Sequence, residues 1–366
     1  MERSDLVWGR LGKPWRLSGL VLAGAALFAI GAGSSATKPR TVVAIKGASF
    51  EINGVVTNRG TRVQGLLMNS RMVQAAFDDE NQRTAVKWRY PDTRRWSAAR
   101  NTQELVRTIP SYAAKGLNAI TINLQGGSPS GRPDDAPQNV TTAFRPNGSL
   151  KPAWLGRVDR VIQACARNRM VVILGLFYFG QDQRLNGERA VISAVDNATR
   201  WLVKQRYTNV LVEIDNEANL NYNHDILKPQ RVDELIRRVQ KRSHGRLKVS
   251  TSLAGGSIPP DDAIRASDFV LLHGNGQNPA SIREMVDRVR ATQAYRARPK
   301  PIVFNEDSTN LANLEAAVEK KASWGYYDQG SSNYVDGFQS PPVNWRISTP
   351  IKRAFFQRIA SLTGKR

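Results

Sequence analysis

Short apolar runs and longer amphipathic stretches alternate along the chain beyond residue 50. The apolar runs have the continuous or alternating pattern of strands buried in a parallel sheet. The predicted strands span residues 63–68, 118–124, 170–177, 209–215, 247–252, 268–273, 301–305 and 323–328. The amphipathic stretches have the periodicity of helices that bury one face. The predicted helices span residues 102–115, 151–168, 188–206, 229–243, 260–266, 279–296, 310–321 and 350–362.

Strands that alternate with helices eight times predict an α/β fold, the (β/α)8 or TIM barrel. A doubly wound open sheet is the alternative, but no Gly-x-Gly-x-x-Gly turn follows the first strand. Residues 50–56 predict a short N-terminal β-hairpin with an Asn-Gly turn. Long segments follow the first, second and eighth strands, at residues 69–100, 125–150 and 329–349. In a barrel these loops emerge on the C-terminal face, where active sites lie.

The N-terminal segment has the order of an export signal. Basic residues occur before position 17, residues 17–33 carry no charge, and the small residues Ser34 and Ala36 follow. This order predicts cleavage after Ala36, but the uncharged stretch is also near the lower length limit of a membrane-spanning helix. We therefore expect residues 1–36 to be a signal peptide or a membrane anchor and 37–49 to be a linker. The rest of the chain would lie in a bacterial periplasm or at the cell surface.

The composition excludes several classes of protein. With 53 Lys and Arg residues against 31 Asp and Glu residues, the net charge is +22. The basic residues are scattered, mostly on predicted helix faces, so we expect a basic solvated surface and no nucleic-acid partner. The alternative is that the basic surface attracts anionic lipid, cell wall or acidic polysaccharide. The single cysteine and three histidines argue against a disulfide framework or a zinc finger, and we expect neither a metal nor a cofactor.

Two predicted strands end in an Asn-Glu pair. The fourth strand runs into Val-Glu-Ile-Asp-Asn-Glu at 212–217, and the seventh ends Ile-Val-Phe-Asn-Glu at 302–306. Since parallel strands end at the same rim of a barrel, Glu217 and Glu306 are expected to face each other there. Two facing carboxyl groups are what glycosidic bond cleavage requires. Either Asn-Glu pair alone could instead cap a helix.

With these two pairs after strands four and seven, the chain resembles the glycoside hydrolase clan of retaining (β/α)8 enzymes. The nearest group is glycoside hydrolase family 5, the cellulase-like family. The resemblance implies that residues 50–366 form a catalytic domain whose substrate is a poly- or oligosaccharide. It implies that Glu217 is the general acid/base and Glu306 the nucleophile. It also implies that Asn216 binds the sugar hydroxyl beside the anomeric carbon and that His273, which ends strand six, orients the site.

Aromatic residues near the strand ends are candidates for stacking on sugar rings. Tyr178, Trp324 and Tyr327 are predicted to bind substrate, with packing in the barrel wall as the alternative for each.

Two departures from the family pattern leave other functions open. The family's Arg is not found at the end of strand two, and Phe-Tyr-Phe at 177–179 stands where the family carries a His. The second reading is therefore a catalytically inactive barrel that binds glycan or cell wall. The net charge of +22 and the apolar N-terminal stretch suggest a third function, a basic adhesion or structural protein tethered to a membrane through residues 17–33.

Overall fold

The structure is a computed structural model that describes residues 41–127 and 138–365. The predicted signal or anchor over 1–36, with its uncharged stretch at 17–33, lies outside the described residues. Within those residues, no helix is both long enough and apolar enough to cross a membrane. The predictions of a signal, an anchor and export therefore stay predictions.

A small antiparallel sheet precedes the barrel. It consists of β1 (Val43–Lys46), β2 (Ser49–Ile52) and β3 (Val55–Val56), in that order across the sheet. The predicted hairpin is its β2–β3 part, and β1 lies within the stretch predicted as a linker. Phe50 of β2 is fully buried, and its ring packs edge-on against Phe269 at 6.3 Å between centroids. The sheet thus contributes an aromatic side chain to the interior of the barrel.

Eight parallel strands form the barrel in the described part of the chain. They are β4 (Asn69–Arg71), β5 (Ala119–Asn123), β6 (Val171–Tyr178), β7 (Val210–Asn216), β8 (Lys248–Ser250), β9 (Val270–His273), β10 (Ile302–Glu306) and β11 (Gly325–Tyr326). Hydrogen bonds link β11 to β4 and then each strand in turn to β8, while β10 pairs with β9. A parallel bridge from Val303 to Ser323 connects β10 to the residues before β11. The predicted (β/α)8 barrel is confirmed.

Helices surround the strands, and most agree with the predicted ones to within a few residues. They are α1 (Gln82–Ala85), α2 (Ala98–Ala114), α3 (Pro152–Arg167), α4 (Glu188–Lys204), α5 (Val232–Ser243), α6 (Asp261–Ala266), α7 (Pro279–Ala291), α8 (Gln293–Ala297), α9 (Leu311–Glu319) and α10 (Pro350–Thr363). One predicted helix, 279–296, is divided in two. Thr292 has an extended backbone there, and its hydroxyl caps α8 by accepting from the Tyr295 N–H.

The interior of the barrel changes from apolar to polar along the strands. Leu211 and Val303 belong to the apolar cluster at the centre of the barrel. Two residues further on, the side chains of Glu213 and Asn305 also point inward, and the Asn305 amide donates to Glu213 at 3.2 Å. Because alternate residues of a strand share a face, each strand supplies both layers. The polar layer lies directly beneath the C-terminal mouth.

Candidate active site

Glu217 directly follows β7 in a backbone conformation that few residues adopt. Its φ is +58°, in the left-handed region. Its N–H donates to the Ser252 hydroxyl at 3.1 Å, and its side chain turns to the barrel mouth, where the residue is 9% exposed. Such backbone strain in a non-glycine residue is typical of functional sites. The structure places Glu217 at the predicted rim.

Glu306 ends β10 and is turned inward by an irregularity in the strand. The pairing of β10 with β9 shifts register between Phe304 and Glu306, so that Glu306 lies opposite His273. A regular strand would point Asn305 and Glu306 to opposite faces, but the shift lets both face the barrel interior. The Glu306 residue is 6% exposed, and its Oε1 accepts from the Asn275 amide at 2.7 Å.

The two carboxyl groups share one pocket. One oxygen of Glu217, one oxygen of Glu306 and one ring nitrogen of His273 all lie within 4.8 Å of one another. The two oxygens are thus no further apart than 4.8 Å, within the separation of about 5–5.5 Å between carboxyl groups in retaining glycosidases. This distance is too short for the gap of about 6.5–9.5 Å that inverting enzymes keep for a water molecule.

His273 lies between three carboxyl groups. Its Nδ1 is 3.0 Å from Glu217 and 3.7 Å from Glu306, and its Nε2 is 3.8 Å from Glu213. Burial alone lowers the pKa of a histidine, but the carboxylates of Glu306, Glu213 and Glu217 outweigh it and raise the pKa of His273 to about 9. The imidazole is therefore a cation at neutral pH, with Nδ1 donating to Glu217.

Arg71 is the functional residue that sequence reasoning missed. It ends β4 and is 1% exposed. Its Nε forms an ion pair with Glu306, its Nη2 donates to the side-chain oxygen of Asn216, and its Nη1 lies 3.9 Å from Glu213. The predicted first strand, 63–68, ends before Arg71. In the structure, residues 62–65 form turns instead, and strand pairing begins only at Asn69. An arginine three residues past the predicted strand end is the signal that the sequence offers.

The central groups form a compact charge cluster. Burial raises the pKa of Glu306, and the Glu217 carboxylate adds to that rise, while Arg71 and His273 oppose it. At Glu213 burial also favours the neutral acid, but His273 and Arg71 prevail and lower its pKa. Three carboxyl groups therefore face two cations, and the cluster is neutral when one carboxyl keeps a proton. One acid and one ionised carboxylate in the same pocket are the pair that glycoside cleavage uses.

Three other predicted residues lie around this cluster. The side-chain oxygen of Asn216 accepts from Arg71, and its amide lies 3.5 Å from a Glu217 oxygen. Tyr178 and Tyr327 are partly buried. Tyr178 lies opposite Asn216 in the pairing of β6 with β7, and Tyr327 directly follows β11. Burial raises the pKa of both phenols, and the Glu306 and Glu217 carboxylates raise it further.

A glycine in the second loop makes room for one of these rings. A Cβ on Gly127 would lie 2.3 Å from the Tyr178 ring, so a side chain at this position would displace the tyrosine. The close approach ties the loop after β5 to the edge of the pocket.

Trp324 does not line the pocket, and the prediction that it binds substrate is wrong. The side chain is fully buried, its ring lies 6.1 Å from that of Phe355 in α10, and its Nε1 donates to Asp307 at 2.5 Å. Because side chains alternate along a strand, Trp324 and Tyr326 face the helices, while Gly325 faces the barrel interior beside Asn69. Trp324 belongs to the packing between the barrel and α10.

The same pocket has the spacing of a metal site. Among the described residues, the donor atoms of Glu217, His273 and Glu306 are close enough together to hold an ion. Arg71 forms an ion pair with the Glu306 carboxyl group, and its positive charge opposes a second cation there.

The fold is that of glycoside hydrolase family 5 barrels. The chain is similar to the endo-1,4-beta-mannanase from Rhizomucor miehei, with a TM-score of 0.54, 12% identity, and coverage of 89% of this chain and 100% of that one. It is similar to the beta-mannanase from the blue mussel Mytilus edulis, with a TM-score of 0.53, 12% identity, and coverage of 89% and 98%. It is also similar to a family 5 broad-specificity endoglucanase from Clostridium longisporum, with a TM-score of 0.52, 12% identity, and coverage of 84% of this chain and 99% of that one. No protein-family model and no curated protein sequence matches the chain.

Proposed function

We propose that this protein is a retaining glycoside hydrolase that cleaves O-glycosidic bonds of a poly- or oligosaccharide. The observation that carries the proposal is the placement of Glu217 and Glu306 at one barrel mouth, with an oxygen of each within 4.8 Å. That separation favours direct attack by one carboxylate over attack by a water molecule held between them. The likeness to family 5 barrels supports the same activity.

In the first step, the Glu217 carboxylic acid gives its proton to the glycosidic oxygen. The Glu306 carboxylate attacks the anomeric carbon, the bond to that oxygen breaks, and the leaving sugar departs as an alcohol. In the second step, the Glu217 carboxylate takes a proton from a water molecule, which attacks the same carbon and releases Glu306. Each step inverts the anomeric carbon, so the product keeps the configuration of the substrate.

The surrounding residues support these roles. Arg71 and the Asn275 amide each contact one oxygen of Glu306 and oppose the rise that burial gives its pKa, so both contacts favour the ionised form that attacks. The His273 cation contacts Glu217 at 3.0 Å and fixes its orientation. Asn216, held by Arg71, would bind the sugar hydroxyl beside the anomeric carbon, and Tyr178 and Tyr327 would pack on the sugar.

A binding protein without catalysis is the second candidate. This candidate was suggested by the absence of an arginine at the end of the second strand. The side chain of Arg71 reaches the nucleophile position from strand one and supplies the missing cation. The arrangement therefore favours catalysis over binding alone.

The test is hydrolysis of a panel of β-linked polysaccharides by the wild type, Glu217→Ala and Glu306→Ala. We expect activity on at least one member, and a loss of about 10³-fold or more in each variant, as for removal of catalytic groups elsewhere. NMR of the first product should show a retained anomeric configuration. Binding without turnover would favour the second candidate, and full activity in both variants would refute the assignment.

A further inference from the structure

The segment that follows β4 on the C-terminal face carries unpaired positive charge. Five of its basic side chains are exposed. Within the described part of the chain, none of the five forms an ion pair or a side-chain hydrogen bond. We call this set the cationic ledge; its members are Arg83, Lys87, Arg89, Arg94 and Arg95.

Cations close to the ledge are paired, which makes the ledge distinctive. Arg100 contacts Asp92 and Glu104, both at 2.8 Å. Lys151 contacts Glu80 at 2.7 Å. The acidic groups of this region are therefore committed to other partners, and the charge of the ledge is uncompensated.

The ledge is built on a packed aromatic scaffold. Trp88 is 2% exposed, packs edge-on against Phe77 at 5.6 Å, and donates from Nε1 to Asp79 at 3.0 Å. Tyr90 stacks on Trp96 at 5.8 Å. Basic side chains on a fixed backbone lose less conformational freedom on binding than those on a loose loop.

The scaffold is joined to the loops that surround the pocket. The Glu80 N–H donates to the Val140 carbonyl at 3.0 Å, and the Asn81 amide donates to the Gln138 carbonyl at 2.8 Å. On another side, the Tyr90 ring lies 5.1 Å from that of Tyr334 in the loop after β11. The ledge is thus attached to the second and eighth loops, on the face of the barrel where Glu217 and Glu306 open.

We propose that the cationic ledge binds the anionic groups of an acidic polysaccharide whose chain extends from the pocket. This inference rests on the proposed function and names its substrate class. A polymer with about one charge per sugar can place neutral atoms beside Glu217 and Glu306 while its acidic groups reach the ledge. Duplex DNA carries one charge per about 1.7 Å of helix axis and would bring phosphates to those carboxylates. The charges on this face therefore favour the polysaccharide over a nucleic acid.

The test compares two variants of equal charge in the Glu217→Ala background, so that binding is measured without cleavage. The first replaces all five ledge residues by Gln. The matched control replaces five exposed cations at the N-terminal end of the barrel, whose side chains likewise form no ion pair or hydrogen bond among the described residues. The control residues are Lys46, Arg59, Lys115, Arg169 and Arg206.

Affinity is measured for polygalacturonate and for neutral glucomannan, at about 50 and 300 mM NaCl, since screening weakens exposed charge contacts. Duplex DNA and vesicles of anionic lipid serve as the other polyanions. We expect the ledge variant to bind polygalacturonate about tenfold or more weakly than its parent at low salt. The control should stay within about twofold, and glucomannan binding should not depend on the ledge.

Equal losses in the two variants would overturn the proposal, because net charge alone would then explain binding. Unchanged affinity in the ledge variant would overturn it too, as would ledge-dependent binding of DNA or vesicles at least as tight as that of polygalacturonate. Ledge-dependent binding of polygalacturonate supports the ledge even if the wild type hydrolyses no glycan. That combination would contradict the proposed hydrolysis alone, so the two failures can be distinguished.

Discussion

Replacing Arg71 by Met removes the cation that contacts the carboxylate of Glu306, the proposed nucleophile. In the folded protein Arg71 is 1% exposed and forms an ion pair with Glu306, with Glu213 at 3.9 Å. Without it, only His273 remains to balance three carboxyl groups. Removal of one partner from a buried ion pair costs about 3–5 kcal/mol. We therefore expect Arg71→Met to lower the free energy of unfolding by about that amount, measured by urea denaturation at neutral pH.

The same change should move the pH dependence of activity. An arginine beside a carboxylate lowers its pKa by about 1–3. Removing Arg71 therefore raises the pKa of Glu306 further, and a higher pH is needed to ionise the proposed nucleophile. The acidic limb of the kcat/KM profile should move upward by about 1–3 pH units.

Arg157→Met is the matched control. Arg157, on α3, is likewise a largely buried arginine. Its Nε donates to the Ala76 carbonyl at 3.0 Å. This variant should lose stability and leave the pH profile in place. An Arg71→Met enzyme with an unmoved acidic limb would refute the role of Arg71, whatever its stability.

Further predictions concern the charge cluster, two aromatic side chains and export. Glu213→Gln should lower the pKa of His273 from about 9, as followed by NMR titration, and an unchanged pKa would contradict the charge cluster. Because that pKa is raised on folding, the stability that His273 contributes is full below its ordinary pKa and is lost as the pH rises through about 9. Trp324→Phe should lower stability by about 1–2 kcal/mol without changing glycan affinity, whereas Tyr327→Ala should weaken glycan binding about tenfold. Expression in a bacterial host should give an exported protein cleaved after Ala36 or retained in the membrane fraction; recovery in the cytoplasm would contradict export.

The order of strands and helices could be predicted because each element buries an apolar face with its own period. That order also placed Glu217 and Glu306 at the same rim, since the C-terminal ends of parallel strands meet there. The side-chain pattern along strands four and seven was sufficient for this conclusion. It required no knowledge of exact strand bounds.

Features that depend on local backbone irregularity could not be predicted. The register shift in β10 turns Asn305 and Glu306 inward together, and the positive φ of Glu217 reorients that residue. Arg71 was missed because the first strand starts later than its apolar run suggests. The side-chain direction of Trp324 could not be predicted for a related reason: the pattern gives the alternation along a strand but not which set of residues faces inward.

The proposal that Glu306 attacks the anomeric carbon is tested most directly by identifying the residue that becomes attached to the sugar. The protein is incubated with 2-deoxy-2-fluoro-β-glycosyl fluorides of glucose and mannose, which slow the second step, and its peptides are analysed by mass spectrometry. We expect one glycosyl group per chain, on the peptide that contains Glu306, and no label in Glu306→Ala. Label on Glu217, or rapid hydrolysis of these probes with an inverted product and no label, would contradict the proposal.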